Sequence, residues 1–161
     1  MQVRYRFLDS PLGPLLLAGN ARGLVRIGFP RGKGKVIPFP DWQLDDTALS
    51  RAADQLDAYF AGRLRQFDLP LALAGTPFQL EVYRALQAIP YGHTASYADI
   101  ARRIGRPKAF RAVGAANARN PIPIVVPCHR VIGSSGSLTG FGGGLDTKAM
   151  LLDLEKGRLH P

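Results

Sequence analysis

The sequence predicts an α+β protein with a strand-rich N-terminal half and a helix-rich C-terminal half. In the first thirty residues, two or three short apolar runs are separated by "SPLGP" and "GNARG", which have turn-forming chemistry. From Thr76 onward, apolar residues recur instead with the 3.6-residue period of a helix. The change falls near residues 70–76, so we expect an N-terminal domain of residues 1–72 and a C-terminal domain of residues 73–161.

The N-terminal half is predicted to continue with a loop and one helix. Residues 30–40, "PRGKGKVIPFP", contain too much glycine, proline and lysine for a regular element and indicate a mobile loop. After this loop, Asp45 or Asp46 is the expected N-cap of a helix that Gly62 ends. The apolar residues of that helix have helical spacing: Leu49, Ala52, Ala53, Leu56, Tyr59 and Phe60.

The C-terminal half is predicted to contain four helices. The first has Thr76 as its N-cap and Pro77 at its first position, and "PYG" ends it. Two short helices follow in "SYADIARRIG" and "RPKAFRAVGAANARN", and the tight turn between them contains Gly105. Such a pair indicates a helix-turn-helix, a common DNA-binding motif. The last helix lies in "GLDTKAMLLDLEKG" and is amphipathic.

Charge and hydropathy narrow the class of partner. The formal net charge is +9, and no apolar run reaches the roughly 18 residues that span a bilayer. The N-terminus lacks the apolar block of a signal peptide, so we expect a cytoplasmic protein with no membrane partner. Between Asp99 and Asp146 there is no acidic residue, which favours a polyanion such as nucleic acid as the partner. Seven cations lie in that stretch: Arg102, Arg103, Arg106, Lys108, Arg111, Arg119 and Arg130.

The sequence indicates neither a structural metal nor a cofactor. Its only cysteine is Cys128, so an internal disulfide is impossible, and a zinc site would depend on His93, His129 and His160. The glycine-rich stretch of residues 133–144 lacks the lysine spacing of a phosphate-binding loop. It is better interpreted as a flexible flap beside the cysteine.

The tetrapeptide "PCHR" leaves three roles open for Cys128: a core residue, a metal ligand or a nucleophile. Nearby prolines exclude a regular helix and predict a stiff extended segment from Asn120 to Cys128. In such a segment neighbouring side chains point to opposite faces, so His129 reaches the sulfur only through a bend or a bridging water. A histidine base also needs an acceptor that orients it, and Glu155 on the last helix is the best candidate. The acid-free surroundings are expected to favour the thiolate.

Two stretches together resemble a known family. "RAVGAANARNPIPIVVPCHRVIG" and "SSGSLTGFGGGLDTKAMLLDLE" closely resemble the methylated-DNA–protein cysteine methyltransferases, also called O6-alkylguanine-DNA alkyltransferases. The strong match covers about residues 75–157, and the N-terminal 70 residues agree only in length and strand content. The resemblance implies a ribonuclease H-like N-terminal domain of sheet and helix, followed by a winged-helix-like C-terminal domain with a helix-turn-helix.

The resemblance implies single-turnover repair of O6-alkylguanine in double-stranded DNA without a cofactor, with O4-alkylthymine as a second candidate substrate. Cys128 matches the alkyl acceptor, and His129 matches the residue that deprotonates it through a water. Glu155 would orient His129, and Asn120 would brace the active-site turn. Tyr97 matches the tyrosine that helps to rotate the nucleotide and hydrogen-bonds to the departing guanine.

The resemblance also implies how DNA binds. The helix-turn-helix would enter the minor groove and flip the damaged nucleotide, with Arg111 filling the vacated place in the duplex. The implied DNA-facing residues are Ser96, Arg111, Ala112, Gly114, Ala115, Arg119 and Arg130. Backbone groups of Cys128 and the glycine flap would read the flipped base, with a substrate pocket formed by Val131, Ser134, Gly142 and Gly143. We expect a monomer, and whether molecules bind DNA cooperatively stays open.

Three other functions compete with this interpretation. A non-catalytic lesion sensor on the same fold would lack the cysteine, whereas Cys128 is present. A regulator that senses alkylation would normally carry further domains. A hydrolase that uses Cys128 and His129 is a third possibility, although "PCHR" does not match the local signatures of cysteine proteases.

Overall fold

A four-stranded sheet and one helix form the N-terminal half of the protein. The computed structural model describes residues 1–157. The strands are β1 (Arg4–Leu8), β2 (Leu15–Asn20), β3 (Gly23–Gly28) and β4 (Gln43–Leu44), in the spatial order β3-β2-β1-β4. The first three form an antiparallel meander and β4 pairs in parallel with β1. The strand-rich start predicted from the turn sequences is therefore confirmed.

The first helix begins later than the sequence suggests. It spans Ser50–Phe60 and is labelled α1. Asp45 instead belongs to a turn, in which its Oδ1 accepts hydrogen bonds from the backbone nitrogen and hydroxyl of Thr47, while its Oδ2 pairs with Arg4 at 2.7 Å. The expectation that Asp45 or Asp46 caps this helix is wrong, because the Asp45 carboxylate is satisfied within the turn and neither residue adjoins Ser50.

Up to residue 157, the C-terminal half contains the four α-helices that the sequence predicts and a two-stranded sheet that it does not predict. The helices are α2 (Pro77–Gln87), α3 (Tyr97–Arg103), α4 (Phe110–Ala118) and α5 (Leu145–Glu155). The short strands β5 (Ala95–Ser96) and β6 (Val131–Ile132) pair in parallel. The predicted capping residues are confirmed, since the Thr76 and Ser96 side chains accept hydrogen bonds from the third residues of α2 and α3. Helices α3 and α4 pack together as the helix-turn-helix.

The segment before Cys128 is a tight turn rather than an extended strand. Ile124 has φ +76°, and the Val126 nitrogen donates to the Ile122 carbonyl at 2.9 Å. Prolines exclude a helix here, but they leave the Val126 amide free to close a turn. The predicted extended conformation is therefore wrong. The chain then continues into one turn of 3-10 helix at Cys128–Arg130.

The two halves share a core and direct backbone hydrogen bonds. Buried apolar side chains of β2, α1, α2 and α5 belong to one continuous cluster, exemplified by Leu17, Leu56, Val82 and Leu151. The Ile27 nitrogen on β3 also donates to the Pro121 carbonyl at 3.0 Å. The sheet therefore supports the turn that precedes Cys128. The predicted division at residue 72 lies between α1 and α2.

Candidate active site

Cys128 lies at the first position of the 3-10 turn and contributes to the wall of a cavity. Its side chain is only 5% exposed, and the cavity beside it has a volume of ≈ 680 Å³. Asn120 holds the preceding turn closed, because its Nδ2 donates to the Val126 carbonyl at 2.7 Å and its Oδ1 accepts from the Ile122 nitrogen at 3.0 Å. The residue predicted to brace the site is therefore placed on the turn that presents the sulfur.

His129 is completely buried and is oriented by Glu155. The His129 Nε2 atom lies 2.6 Å from Oε2 of Glu155, as the sequence argument anticipated. A carboxylate can only accept a hydrogen bond, so Nε2 carries the proton and Nδ1 keeps its lone pair. Within residues 1–157, Nδ1 makes no hydrogen bond to protein. His129 therefore has one nitrogen held and the other available as a base.

The Glu155 carboxylate is also bound by groups that sequence reasoning did not include. The Tyr59 hydroxyl on α1 donates to Oε2 at 2.6 Å. Arg130 donates from Nε to Oε1 at 2.8 Å and from Nη2 to Oε2 at 3.0 Å, while the Gly92 nitrogen lies 3.3 Å from Oε1. These contacts join the N-terminal half to the site and fix the carboxylate that orients His129.

Arg130 does not belong to a DNA-facing surface. It is only 6% exposed, and its Nη1 donates to the Ile89 carbonyl at 2.7 Å in addition to its two bonds with Glu155. The prediction that Arg130 contacts DNA is therefore wrong. Its charge is used internally, because a buried carboxylate has to be paired to stay ionised.

The electrostatic environment keeps the thiol neutral and the carboxylate charged. Burial raises the pKa of the Cys128 thiol from 9.0 to about 11, although Asn120 and the charge of Lys148 lower it. Burial also lowers the pKa of His129, which is therefore uncharged at neutral pH. Burial opposes ionisation of Glu155, but hydrogen bonds and charges from His129 and Arg130 outweigh it and lower the pKa of that carboxyl. The expectation that the acid-free surroundings favour the thiolate is wrong, because burial raises the pKa of the thiol more than its surroundings lower it.

The cavity is bounded by segments from both halves of the chain. Tyr97, Gly114 and Gly142, all predicted site residues, line it together with Cys128. The cavity is also lined by the loop of residues 32–36, part of the segment 30–40 that we expected to be mobile. Two contacts hold the glycine flap of residues 133–144 against the N-terminal half. The Gly34 nitrogen donates to the Gly142 carbonyl at 2.7 Å, and the ring of Phe29, which directly follows β3, lies 5.4 Å from that of Phe141.

The other predicted pocket residues, Val131, Ser134 and Gly143, are not among the described residues that line the cavity. Val131 is buried, and its carbonyl accepts a hydrogen bond from Lys148 at 2.6 Å. Ser134 is exposed, and neither Ser134 nor Gly143 is among the described residues that line the cavity. The flap therefore reaches the cavity through Gly140, Phe141, Gly142 and Gly144 instead.

The predicted DNA-binding residues of α4 lie on one accessible face. Arg111, Ala112, Ala115 and Arg119 are exposed, and Arg119 lines the cavity as well. Ser96 is half-buried and caps α3. Besides Arg130, two cations of the acid-free stretch have carboxylate partners, since Arg102 pairs with Asp99 and Arg106 pairs with Glu81 at 3.1 Å. The positive surface is therefore narrower than the sequence implies.

The sequence analysis did not assign several residues that the structure places at or near the site. Lys148 precedes Leu151, Leu152 and Glu155 by three, four and seven positions, so it lies on the buried face of α5. Asn117 occupies the buried face of α4, and its Nδ2 lies 3.5 Å from the Cys128 carbonyl oxygen. Arg26, Lys33 and Lys35 of the N-terminal half line the cavity. For Lys148 and Asn117, the helical spacing of the sequence was the one pattern that could have indicated their burial.

Residues 1–157 contain neither a cluster of metal-binding side chains nor a helix that could cross a membrane. No group of three or more histidine, cysteine, aspartate or glutamate side chains in residues 1–157 could hold a metal ion. His160, one of the three histidines considered for zinc, lies outside the described residues. Over the same range, no helix has the length and apolar character needed to cross a bilayer.

Comparisons with known proteins agree with this geometry. The family model described as 6-O-methylguanine DNA methyltransferase, DNA binding domain, matches residues 77–157, and the ribonuclease-like domain of the same family matches residues 3–73. A methylated-DNA–protein-cysteine methyltransferase of Methanosarcina barkeri is 53% identical over 156 residues, which cover 97% of this chain and 99% of the relative. A relative of the same name from Mycobacterium bovis is also 53% identical and covers 97% and 94%.

Solved structures give the same answer. The chain superposes on Mycobacterium tuberculosis OGT in complex with DNA with a TM-score of 0.91 at 53% identity, covering 98% of this chain and 95% of that one. An O6-methylguanine-DNA methyltransferase of Pyrococcus kodakaraensis, at 22% identity and a TM-score of 0.57, shares the fold. With both family models and relatives of this identity matched along nearly the whole chain, this protein belongs to the 6-O-methylguanine DNA methyltransferase family.

Proposed function

We propose that this protein repairs O6-alkylguanine in double-stranded DNA by transferring the alkyl group irreversibly to Cys128. The observation that carries the proposal is the buried set of Cys128, His129 and Glu155 beside a cavity that α4 of the helix-turn-helix also lines. Membership of the family supports it, since relatives over the full length bear the name of this reaction. A lesion sensor without a nucleophile would not need this arrangement.

The Cys128 thiol is protonated at rest and becomes a nucleophile only when a base removes its proton. Because burial keeps the pKa of Cys128 near 11, almost no thiolate exists at neutral pH. His129 is uncharged and presents Nδ1, so it takes the thiol proton through a water as the alkyl group is transferred. The ionised Glu155 then stabilises the imidazolium that forms.

The transfer is a single displacement. Sγ of Cys128 forms a bond to the alkyl carbon as the bond from that carbon to O6 breaks, and guanine leaves with the electron pair. Tyr97, which lines the same cavity, assists the departing base by hydrogen bonding from its hydroxyl group. The thioether that forms is stable and Cys128 is the only cysteine of the sequence, so each molecule reacts once.

DNA is proposed to bind across α4 in the minor groove. Ala112, Gly114 and Ala115 have small side chains that permit a close approach to the sugar-phosphate backbone, and Arg111 is exposed beside them. The damaged nucleotide would be flipped into the cavity, where Arg119 and the loop of residues 32–36 add positive charge near its phosphates. We propose that the protein acts as a monomer in the cytoplasm, where its one thiol stays reduced.

Intact-mass measurement tests this function. The protein is incubated with an excess of duplex DNA containing O6-methylguanine, and the expected result is a lasting gain of one methyl group per protein. The Cys128→Ser variant, shown to be folded by circular dichroism, should gain none. Transfer of more than one methyl group per molecule, or transfer to the serine variant, would overturn the proposal.

A further inference from the structure

Lys148 is a buried cation that the proposed transfer does not use. Its side chain is completely closed to solvent. Its Nζ donates to the Val131 carbonyl at 2.6 Å and lies 3.4 Å from both the carbonyl oxygen and Oγ1 of Thr139. No carboxylate of residues 1–157 pairs with it. Burying a charge without a counter-ion costs folding free energy, so an apolar side chain would fill this position better if its role were only structural.

The hydrogen bonds from Lys148 have a defined direction that ends at the cavity. An ammonium group can only donate, so Thr139 Oγ1 accepts from Lys148 and its own proton is free for another acceptor. The Tyr97 oxygen is that acceptor, since it is hydrogen-bonded to Thr139 Oγ1. The Tyr97 proton is then free for a third group, and the Tyr97 side chain borders the same cavity as Cys128.

We propose that Lys148, Thr139 and Tyr97 form a proton relay that delivers a proton from the buried ammonium to the departing guanine. This inference rests on the proposed function, because the guanine anion exists only if Cys128 removes the alkyl group from the base. Tyr97 is the residue that touches the base, and Lys148 and Thr139 are positioning residues that act through it.

The step balances in atoms and charge. As the bond between O6 and the alkyl carbon breaks, guanine keeps the electron pair and takes the Tyr97 proton. The Tyr97 oxygen takes the Thr139 hydroxyl proton, and Thr139 takes one proton from Nζ, which leaves Lys148 as a neutral amine. The proton from the Cys128 thiol goes to His129, so the site begins and ends with one additional positive charge, moved from Lys148 to His129.

The environment of Lys148 fits a group that gives up a proton once. Burial lowers the pKa of Lys148 from its ordinary 10.5, so the ammonium is a stronger acid than a surface lysine. No reprotonation is required, because a protein that reacts once never has to reset the relay. The same charge also acts on Cys128, lowering the pKa of its thiol. An experiment therefore has to separate help to the leaving group from help to the sulfur.

Two methylating agents make that separation. O6-methylguanine in duplex DNA needs a proton on its leaving group, whereas methyl iodide releases iodide, which needs none. Single-turnover methylation of Cys128 is followed by intact mass with each agent for the wild type, Lys148→Met, Thr139→Val and Thr139→Ser. Met keeps the length of the lysine stem, Val keeps the shape of threonine without its hydroxyl, and Ser keeps the hydroxyl.

The relay predicts that Lys148→Met and Thr139→Val slow transfer from DNA by about tenfold to a hundredfold, within the range of general acid catalysis. Methylation by methyl iodide should stay within about twofold of the wild type in Thr139→Val. In Lys148→Met it should fall by a smaller factor than transfer from DNA, because loss of the Lys148 charge also raises the pKa of the Cys128 thiol. Thr139→Ser should retain most of the transfer rate from DNA. The double variant should be no slower than the slower single variant, because both changes interrupt one chain.

The outcomes distinguish the alternatives. Equal slowing with both agents would overturn the relay and assign Lys148 to the thiolate or to folding. An unaffected Thr139→Val variant would remove threonine from the chain and overturn it too. A wild type that reacts with methyl iodide but never with the alkylated DNA would instead refute the proposed function, and the relay with it.

Discussion

Oε2 of Glu155 lies 2.6 Å from Nε2 of His129, and neither side chain is accessible to solvent beyond a few per cent. The same carboxylate is bound by Arg130 and by Tyr59, which belongs to the other half of the chain. One acid therefore orients the base, neutralises a buried arginine and connects the N-terminal helix to the site. This shared dependence makes its replacement informative.

We predict that Glu155→Gln loses both activity and stability. Arg130 would be left as a buried charge without its carboxylate, which typically costs about 3–5 kcal/mol of unfolding free energy. Urea denaturation measures the loss, and single-turnover transfer measures the effect on His129. Asp146→Asn, an exposed acid of the same helix, is the matched control and should change neither. Equal stability of Glu155→Gln and wild type would contradict the central role of the carboxylate.

Tyr59→Phe is expected to weaken the site from a distance. Loss of the hydroxyl that donates to Glu155 at 2.6 Å removes one buried charge-assisted hydrogen bond, so unfolding free energy should fall by about 1.5–3 kcal/mol. Transfer should slow, because Glu155 holds His129 less firmly. Tyr5→Phe on β1 is the control, and similar losses in both variants would show that the effect is not specific to Glu155.

The pH profile of transfer should follow His129 rather than Cys128. Because the pKa of His129 is lowered from 6.5, the neutral base is present at pH 7, and the single-turnover rate should fall only when the pH drops below that lowered value. In His129→Gln the base is lost, so the residual rate should rise with pH until the thiol ionises near its pKa of about 11. Single-turnover rates of the wild type and of His129→Gln, measured from acidic pH to about pH 11, show which group removes the proton. A wild-type rate that climbs steadily towards pH 11 would mean that hydroxide, not His129, removes the proton.

Acid should destabilise the fold through the same residues. Glu155 has a lowered pKa, so its contribution is present above the ordinary value of 4.5 and is lost as the pH falls through the folded value. His129, buried as the neutral form, likewise contributes above 6.5 and loses that contribution in acid. Urea midpoints should therefore decrease from about pH 6.5 downwards. In Glu155→Gln, the urea midpoint should lose the share of its pH dependence that comes from the carboxylate. A pH dependence identical to that of the wild type would contradict the attribution to Glu155.

The loop of residues 32–36 is expected to contribute to DNA affinity. Lys33 and Lys35 line the cavity, so the double change to Gln should weaken binding of duplex DNA and reduce the slope of log affinity against log salt by up to about 2. Filter binding or fluorescence anisotropy at several salt concentrations measures the slope. Arg22→Gln in the turn between β2 and β3 serves as the control, and an unchanged slope in the lysine variant would place the DNA elsewhere.

Much of the fold could be predicted because its signals are local. The Thr76 and Ser96 caps, the helix stop at Gly105 and the turns between the first strands all depend on residues within a few positions of one another. The Asp45 prediction shows the limit of such signals, since a carboxylate suited to a helix cap is used in a turn and by Arg4 from another strand.

The sequence by itself determined which chemical groups are present: one thiol, a histidine beside it, a distant glutamate and a helix-turn-helix with small and basic residues. Only the tertiary structure decided how those groups behave. Burial of Cys128 raises the pKa of its thiol, and Arg130 points inward and pairs with Glu155. The loop of residues 32–36 lies against the glycine flap. Burial and charge pairing depend on segments that are far apart along the chain, and no local pattern records how closely those segments will pack.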